Sequence, residues 1–161
     1  MGGVLFFHGR ESSPSGNKAR WLRARYGAFT PGYDTNSLAT ALPTARAALA
    51  EHRPEVVVGS SFGGAVACQL VAEGLWTGPT ILIAPASRLL GGPSRLPEGA
   101  RAVIFHGEHD SVVPLAHSQE MAGGGVELRV VAGGDHPLNC LLEDGAMARA
   151  LAELGVLSHE G

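Results

Sequence analysis

Three residues of this 161-residue chain have the types that nucleophilic acyl chemistry needs: Ser61, Asp110 and His136. A serine hydroxyl is a poor nucleophile at neutral pH, so a neutral imidazole must take its proton. That imidazole must be oriented, and its cation stabilised, by a carboxylate. Ser61 lies in Gly59-Ser60-Ser61-Phe62-Gly63, a G-x-S-x-G spacing whose glycines leave room for a sharp turn from strand to helix. Such a turn lifts the hydroxyl above a sheet edge and sets it at a helix N-terminus. There the Phe62 amide can point at a developing oxyanion. In a chain with 23 glycines the spacing alone carries little weight. Its context adds more, because the β-branched run Val56-Val57-Val58 precedes it and a helical stretch from Ala65 to Ala72 follows. The plain alternative is a tight turn whose serines only cap that helix.

The surrounding elements decide whether the three residues can meet. Val4-Leu5-Phe6-Phe7 is a continuous apolar run that reads as a strand buried on both faces. A helix is expected from Asn17 to Tyr26, with Ala19, Leu22 and Tyr26 facing inward. Ala28 to Tyr33 contains Pro31 and reads as a weak strand at the sheet edge. An alanine-rich helix is expected to begin at Leu42 or Pro43 and run to His52. Thr80 to Ala84, Ala102 to Phe105 and Val126 to Val131 read as further strands. Leu115 to Met121 reads as a short helix, and Asn139 to Leu154 as one closing helix. Pro85 to Gly99 is loop-like. This alternation argues for a parallel sheet with helices on both faces. Such sheets carry their chemistry beyond the carboxyl ends of the strands. Ser61, Asp110 and His136 each follow a different strand, so the fold itself would bring them to one rim.

The chain order serine, acid, histidine is the order found in α/β-hydrolases. The sequence resembles that superfamily, specifically the small single-domain esterases of the YqiA/YcfP type. The matching residues are Leu5-Phe6-Phe7-His8-Gly9 with Ser12-Ser13-Pro14 and Lys18-Ala19, then Gly59 to Gly64, His106 to Pro114, and Gly134-Asp135-His136; together they span about residues 3 to 155. The resemblance implies Ser61 as nucleophile, His136 as base and Asp110 as orienting acid. It implies an oxyanion hole from the backbone amides of Phe62 and Arg10, where the family usually carries a bulky apolar residue at the position of Arg10. It also implies a minimal α/β-hydrolase domain over residues 1–161, with about six mainly parallel strands in the order 2-1-3-4-5-6 and little or no cap. An open site of that kind would favour small or exposed ester groups.

Rival assignments stand beside these. Glu108 and Asp135 are alternative carboxylates, and Asp110 could simply be a turn residue. His106 and His109 have a His-x-x-His spacing that could bind zinc, but no third ligand has suitable spacing. No metal and no organic cofactor are expected. His8 is expected to support the oxyanion turn. Arg10, Lys18, Arg20, Arg23 and Arg25 read first as a solvated helix face; the alternative is attraction of an anionic substrate.

Net charge of −3 gives no bulk signal for nucleic acid, and the run Val4 to Phe7 is too short for a signal peptide or a membrane span. Two cysteines without framework spacing fit a reducing cytoplasm, and arginine-dominated basic residues hint at a GC-rich bacterial genome. The expected partner is therefore a small-molecule acyl ester or thioester, cleaved by a serine hydrolase. A non-catalytic binding protein on the same scaffold is the alternative. Acyl transfer to an acceptor other than water would use the same residues.

Overall fold

The computed structural model describes residues 2–10 and 12–159. Strand β1 (Val4–Phe7) is followed by helices α1 (Asn17–Tyr26) and α2 (Leu38–His52). Strand β2 (Val56–Ser60) leads into α3 (Phe62–Ala72), and β3 (Thr80–Ile83) leads into a single 3₁₀ turn at Arg88–Leu90. Strand β4 (Ala102–Gly107), α4 (Leu115–Met121), β5 (Val126–Val131), α5 (Cys140–Glu143) and α6 (Ala146–Glu153) complete the chain. The five strands form one parallel sheet in the order β1-β2-β3-β4-β5.

Central strands of a sheet covered on both faces should be apolar throughout, and β1 to β4 are buried along their whole length. Side chains alternate between two cores. Phe6, Val58, Ile83 and Phe105 pack with Leu22 of α1 and Met147 and Leu151 of α6 on one face. Phe7, Val57, Leu82 and Ile104 pack with Ala45 of α2 and Phe62, Val66 and Leu70 of α3 on the other. Each fully buried side chain of this kind contributes roughly 1.5–3 kcal/mol relative to exposure. This two-sided burial is what makes the sheet rim a rigid platform. No helix among the described residues is long and apolar enough to cross a membrane.

Three sequence expectations change in detail. The expected sixth strand, Ala28 to Tyr33, is reduced to a single parallel bridge between Phe29 and Leu5. Phe29 exchanges two backbone hydrogen bonds with β1, and Pro31, lacking an N–H, ends the pairing two residues on. Its place beside β1 is the one the expected order assigned to it. Helix α2 starts at Leu38, earlier than Leu42 or Pro43, because Ser37 and Thr40 cap each other reciprocally. The closing helix is two helices, since Gly145 adopts φ 83° and breaks the ladder between α5 and α6.

Candidate active site

Ser61 stands between β2 and α3 with φ 53° and ψ −110°, a conformation that non-glycine residues rarely adopt. Its neighbours hold it there. The Ser61 amide donates to the Ile83 carbonyl at 2.8 Å, and the Ser61 carbonyl accepts from the amides of Ala65 and Ala86 at 3.1 and 3.0 Å. The flanking glycines supply the space. A Cβ on Gly63 would run into the Phe7 carbonyl, and one on Gly59 would run into the Gly63 carbonyl. The elbow therefore needs both glycines for close approach of backbones.

The loops after β4 and β5 bring the other two residues to the hydroxyl. His136 Nε2 is 2.8 Å from Ser61 Oγ, and His136 Nδ1 is 2.8 Å from Asp110 Oδ2. Because the carboxylate can only accept, Nδ1 carries the proton, and Nε2 is left to accept from the serine hydroxyl. Asp110 is fixed from its other oxygen, which accepts the amides of Val112 and Val113 at 2.8 Å each. Burial pushes the Asp110 carboxyl up, but the His136 hydrogen bond and those two amides outweigh it and hold it below its ordinary value. The two loops are stitched together. The amides of Glu108 and His109 donate to the carbonyls of Val131 and Gly134, and a Cβ on Gly107 would collide with the Asp135 carbonyl.

The rival groups are committed elsewhere. Glu108 accepts from the Gly133 amide and Asp135 from the Leu138 amide. His106 is fully buried while His109 is 72% exposed, so the two do not share a ligand position. No cluster of three potential metal ligands occurs among the described residues.

The zinc reading of His106 did not anticipate its place in the site. Its Nε2 is 2.9 Å from the Val113 carbonyl and 3.3 Å from Asp110 Oδ2, so this nitrogen carries the proton. Its Nδ1 then accepts from the Ser118 hydroxyl at 2.7 Å. Burial lowers the His106 pKa, which keeps the ring neutral behind the carboxylate. The signal was available: His106 and Asp110 lie four apart across one turn. Tyr33 was also missed. Its hydroxyl donates to the His8 carbonyl at 2.6 Å and its ring stacks on His8 at 4.5 Å, bracing the turn that leads to Arg10.

Arg10, Phe62, Ser61 and His136 border one cavity of about 720 Å³. Among the described residues neither the Arg10 nor the Phe62 amide donates to another backbone group. The apolar lining of the cavity includes Ala86, Leu89, Leu90 and Val112. The basic residues of α1 divide. Arg20 and Arg23 lie on the solvated face, bonded to Asn17 and to loop carbonyls, as expected. Lys18 instead is part-buried and lines the cavity, which corrects its assignment to that face.

No protein-family model and no curated protein matches the sequence. Solved structures do. A protein of the alpha/beta hydrolase superfamily from Xanthomonas campestris is 22% identical over 94% of this chain and 95% of its own, with a TM-score of 0.71. Mouse alpha/beta hydrolase domain-containing protein 10 is 15% identical over 95% and 90%, with a TM-score of 0.75. An alpha-beta serine hydrolase homologue from Coxiella burnetii is 16% identical over 92% and 84%, with a TM-score of 0.70. At these identities the likeness speaks for architecture: the chain has the α/β-hydrolase fold in a minimal, five-stranded form.

Proposed function

We propose that the protein is a serine hydrolase that cleaves carboxylic esters or thioesters through an acyl-enzyme. The observation that carries this reading is the unbroken line from Ser61 Oγ through His136 to Asp110, with 2.8 Å at both links, beside a cavity large enough for a substrate. In this reading Ser61 Oγ attacks the acyl carbon and its proton passes to His136 Nε2. The carbonyl oxygen becomes an oxyanion held by the Phe62 and Arg10 amides, each worth on the order of 3 kcal/mol in the transition state. The bond to the leaving oxygen or sulfur breaks as that atom takes the proton from His136. Water then attacks the acyl carbon, gives its proton to His136, and Ser61 leaves with that proton restored. Asp110 stays ionised and holds the useful tautomer throughout.

The cavity supports small or exposed acyl groups. Leu89 and Val112 in its apolar lining are 51% and 56% exposed, and the Pro85–Gly99 stretch forms only a 3₁₀ turn near it. A panel of 4-nitrophenyl esters and matched thioesters of increasing chain length tests the proposal. Turnover is expected, falling for long chains and lost in Ser61→Ala. A folded wild-type protein with no turnover across the panel would contradict it.

A further inference from the structure

The cavity that holds Ser61 is lined by two cationic side chains, Arg10 and Lys18, and by no carboxylate among the described residues. That is unexpected in a chain whose net charge is −3. Lys18 is the more informative of the two. It makes no hydrogen bond and no ion pair among the described residues, whereas Arg46, Arg88 and Arg129 each pair with a glutamate. Its own helix gives the charge no support. Lys18 lies in the first turn of α1, where the helix dipole disfavours a cation, and that turn contains no acidic residue. The N-cap, Gly16, supplies no side chain to the free amides either. Burial pushes the ammonium pKa down, and the attraction of Asp135 and Cys140 only partly offsets it. Asp135 forms no ion pair with it among the described residues; its Oδ1 accepts from the Leu138 amide. A neutral residue here would fold more comfortably. A charge kept at a cost, with no hydrogen-bond or ion-pair partner among the described residues, on the wall of the same cavity as the elbow serine, has the character of a binding group.

Arg10 complements it. Its Nε donates to the Thr35 carbonyl and its guanidinium lies 5.6 Å from the Phe62 ring centre, which fixes the group beside the oxyanion turn. No carboxylate among the described residues pairs with it. The lining of the cavity thus combines two cationic side chains, Arg10 and Lys18, with apolar ones that include Leu89, Leu90 and Val112.

We propose that Lys18, assisted by Arg10, binds an anionic oxygen group on the substrate while the scissile carbonyl lies over Ser61. The substrate class is an ester or thioester that carries a second, anionic group, either on the acyl part or on the leaving group. The word ester rests on the hydrolase reading above; the anion subsite does not.

The test uses two matched substrate pairs. 4-Nitrophenyl hemiglutarate against 4-nitrophenyl pentanoate puts the charge on the acyl side. 3-Butyryloxybenzoate against its methyl ester puts it on the leaving group. The wild type is expected to prefer the anionic member of at least one pair, and Lys18→Met to lower that kcat/KM ratio at least about tenfold, the scale of a lost charge-assisted bond. Arg10→Gln is expected to lower the same ratio by less. Added salt should shrink the wild-type preference. Lys18→Met is also expected to raise Tm by roughly 2–4 °C, since it removes a part-buried charge that has no ion-pair partner among the described residues. Ratios that Lys18→Met leaves unmoved in both pairs, or a wild type without preference, would overturn the subsite. To separate this from failure of the hydrolase reading, binding of monobutyl glutarate and butyl pentanoate to Ser61→Ala protein is measured directly. A preference for the anion that Lys18→Met abolishes supports the subsite even without turnover; equal binding overturns it.

Discussion

Two parts of the cavity wall treat charge in opposite ways. Behind His136 the groups are paired: Asp110 accepts from His136 and two amides, and His106 bonds through both ring nitrogens. Lys18, by contrast, lines the cavity with no hydrogen-bond or ion-pair partner among the described residues, and the attraction of Asp135 only partly offsets its burial. The first arrangement is complete without a ligand, as a preorganised acid–base pair should be, since reorganisation during reaction would cost rate. The second is complete only with one. On the proposed reading, preorganised chemistry and ligand recognition therefore look different in the same cavity. A network that is saturated speaks for orientation, and a charge that is stranded speaks for binding.

Breaking the saturated part should cost the most. Asp110→Asn keeps the shape but offers His136 a group that no longer enforces the reactive tautomer. We expect kcat to fall on the order of 10⁴-fold with little change in KM, measured on any ester the wild type turns over. A drop confined to KM would mean that the carboxylate serves binding.

One layer further out, the effect should shrink. His106→Gln removes the ring behind Asp110 and is expected to lower kcat about tenfold while KM stays within about twofold. The same variant tests a pH dependence. His106 and Asp110 both have lowered folded pKa values, from 6.5 and 3.8, so each contributes stability above its unfolded value that is lost as pH falls toward the folded one. Wild-type Tm should therefore begin to decline as pH falls below 6.5, where the unfolded state takes up a proton that the buried ring refuses. His106→Gln should flatten that upper part of the curve and leave the acid limb. A wild-type Tm that is level between pH 7 and pH 5, scanned at matched ionic strength, would contradict the burial argument.

The smallest effect should come from Tyr33→Phe. It deletes the hydroxyl that donates to the His8 carbonyl and leaves the ring stack in place. A cost of about 1 kcal/mol in unfolding free energy is expected by denaturant titration, with only a modest loss of rate. An effect on rate as large as that of His106→Gln would move the Arg10 turn into the preorganised half of the comparison.

What the sequence made legible follows from what is local. The elbow could be read because strand, tight turn and helix are contiguous, so Gly59, Ser61 and Gly63 carry their own context. The meeting of Ser61, Asp110 and His136 could be anticipated because a parallel sheet delivers every strand end to one rim. What could not be read depends on which way a side chain turns. Lys18, Arg20 and Arg23 share one helix and look alike in sequence, yet one enters the cavity while the others face water. His106 could not be placed behind Asp110 from the sequence because its partners, Val113 and Ser118, come from the following turn and from α4. The sixth strand was over-read because an extended run need not pair, and Pro31 leaves Phe29 with a single bridge. The early start of α2 rests on a Ser37–Thr40 cap, a threonine variant of the usual serine–glutamate signal.

The central claim is that Ser61 is a nucleophile activated by His136. Its most direct measurement is intact-protein mass spectrometry after exposure to a fluorophosphonate, followed by peptide mapping of the adduct. A single adduct on the peptide containing Ser61, absent from folded Ser61→Ala protein, is the expected result. An unlabelled folded wild type, or labelling that persists in Ser61→Ala, would contradict it.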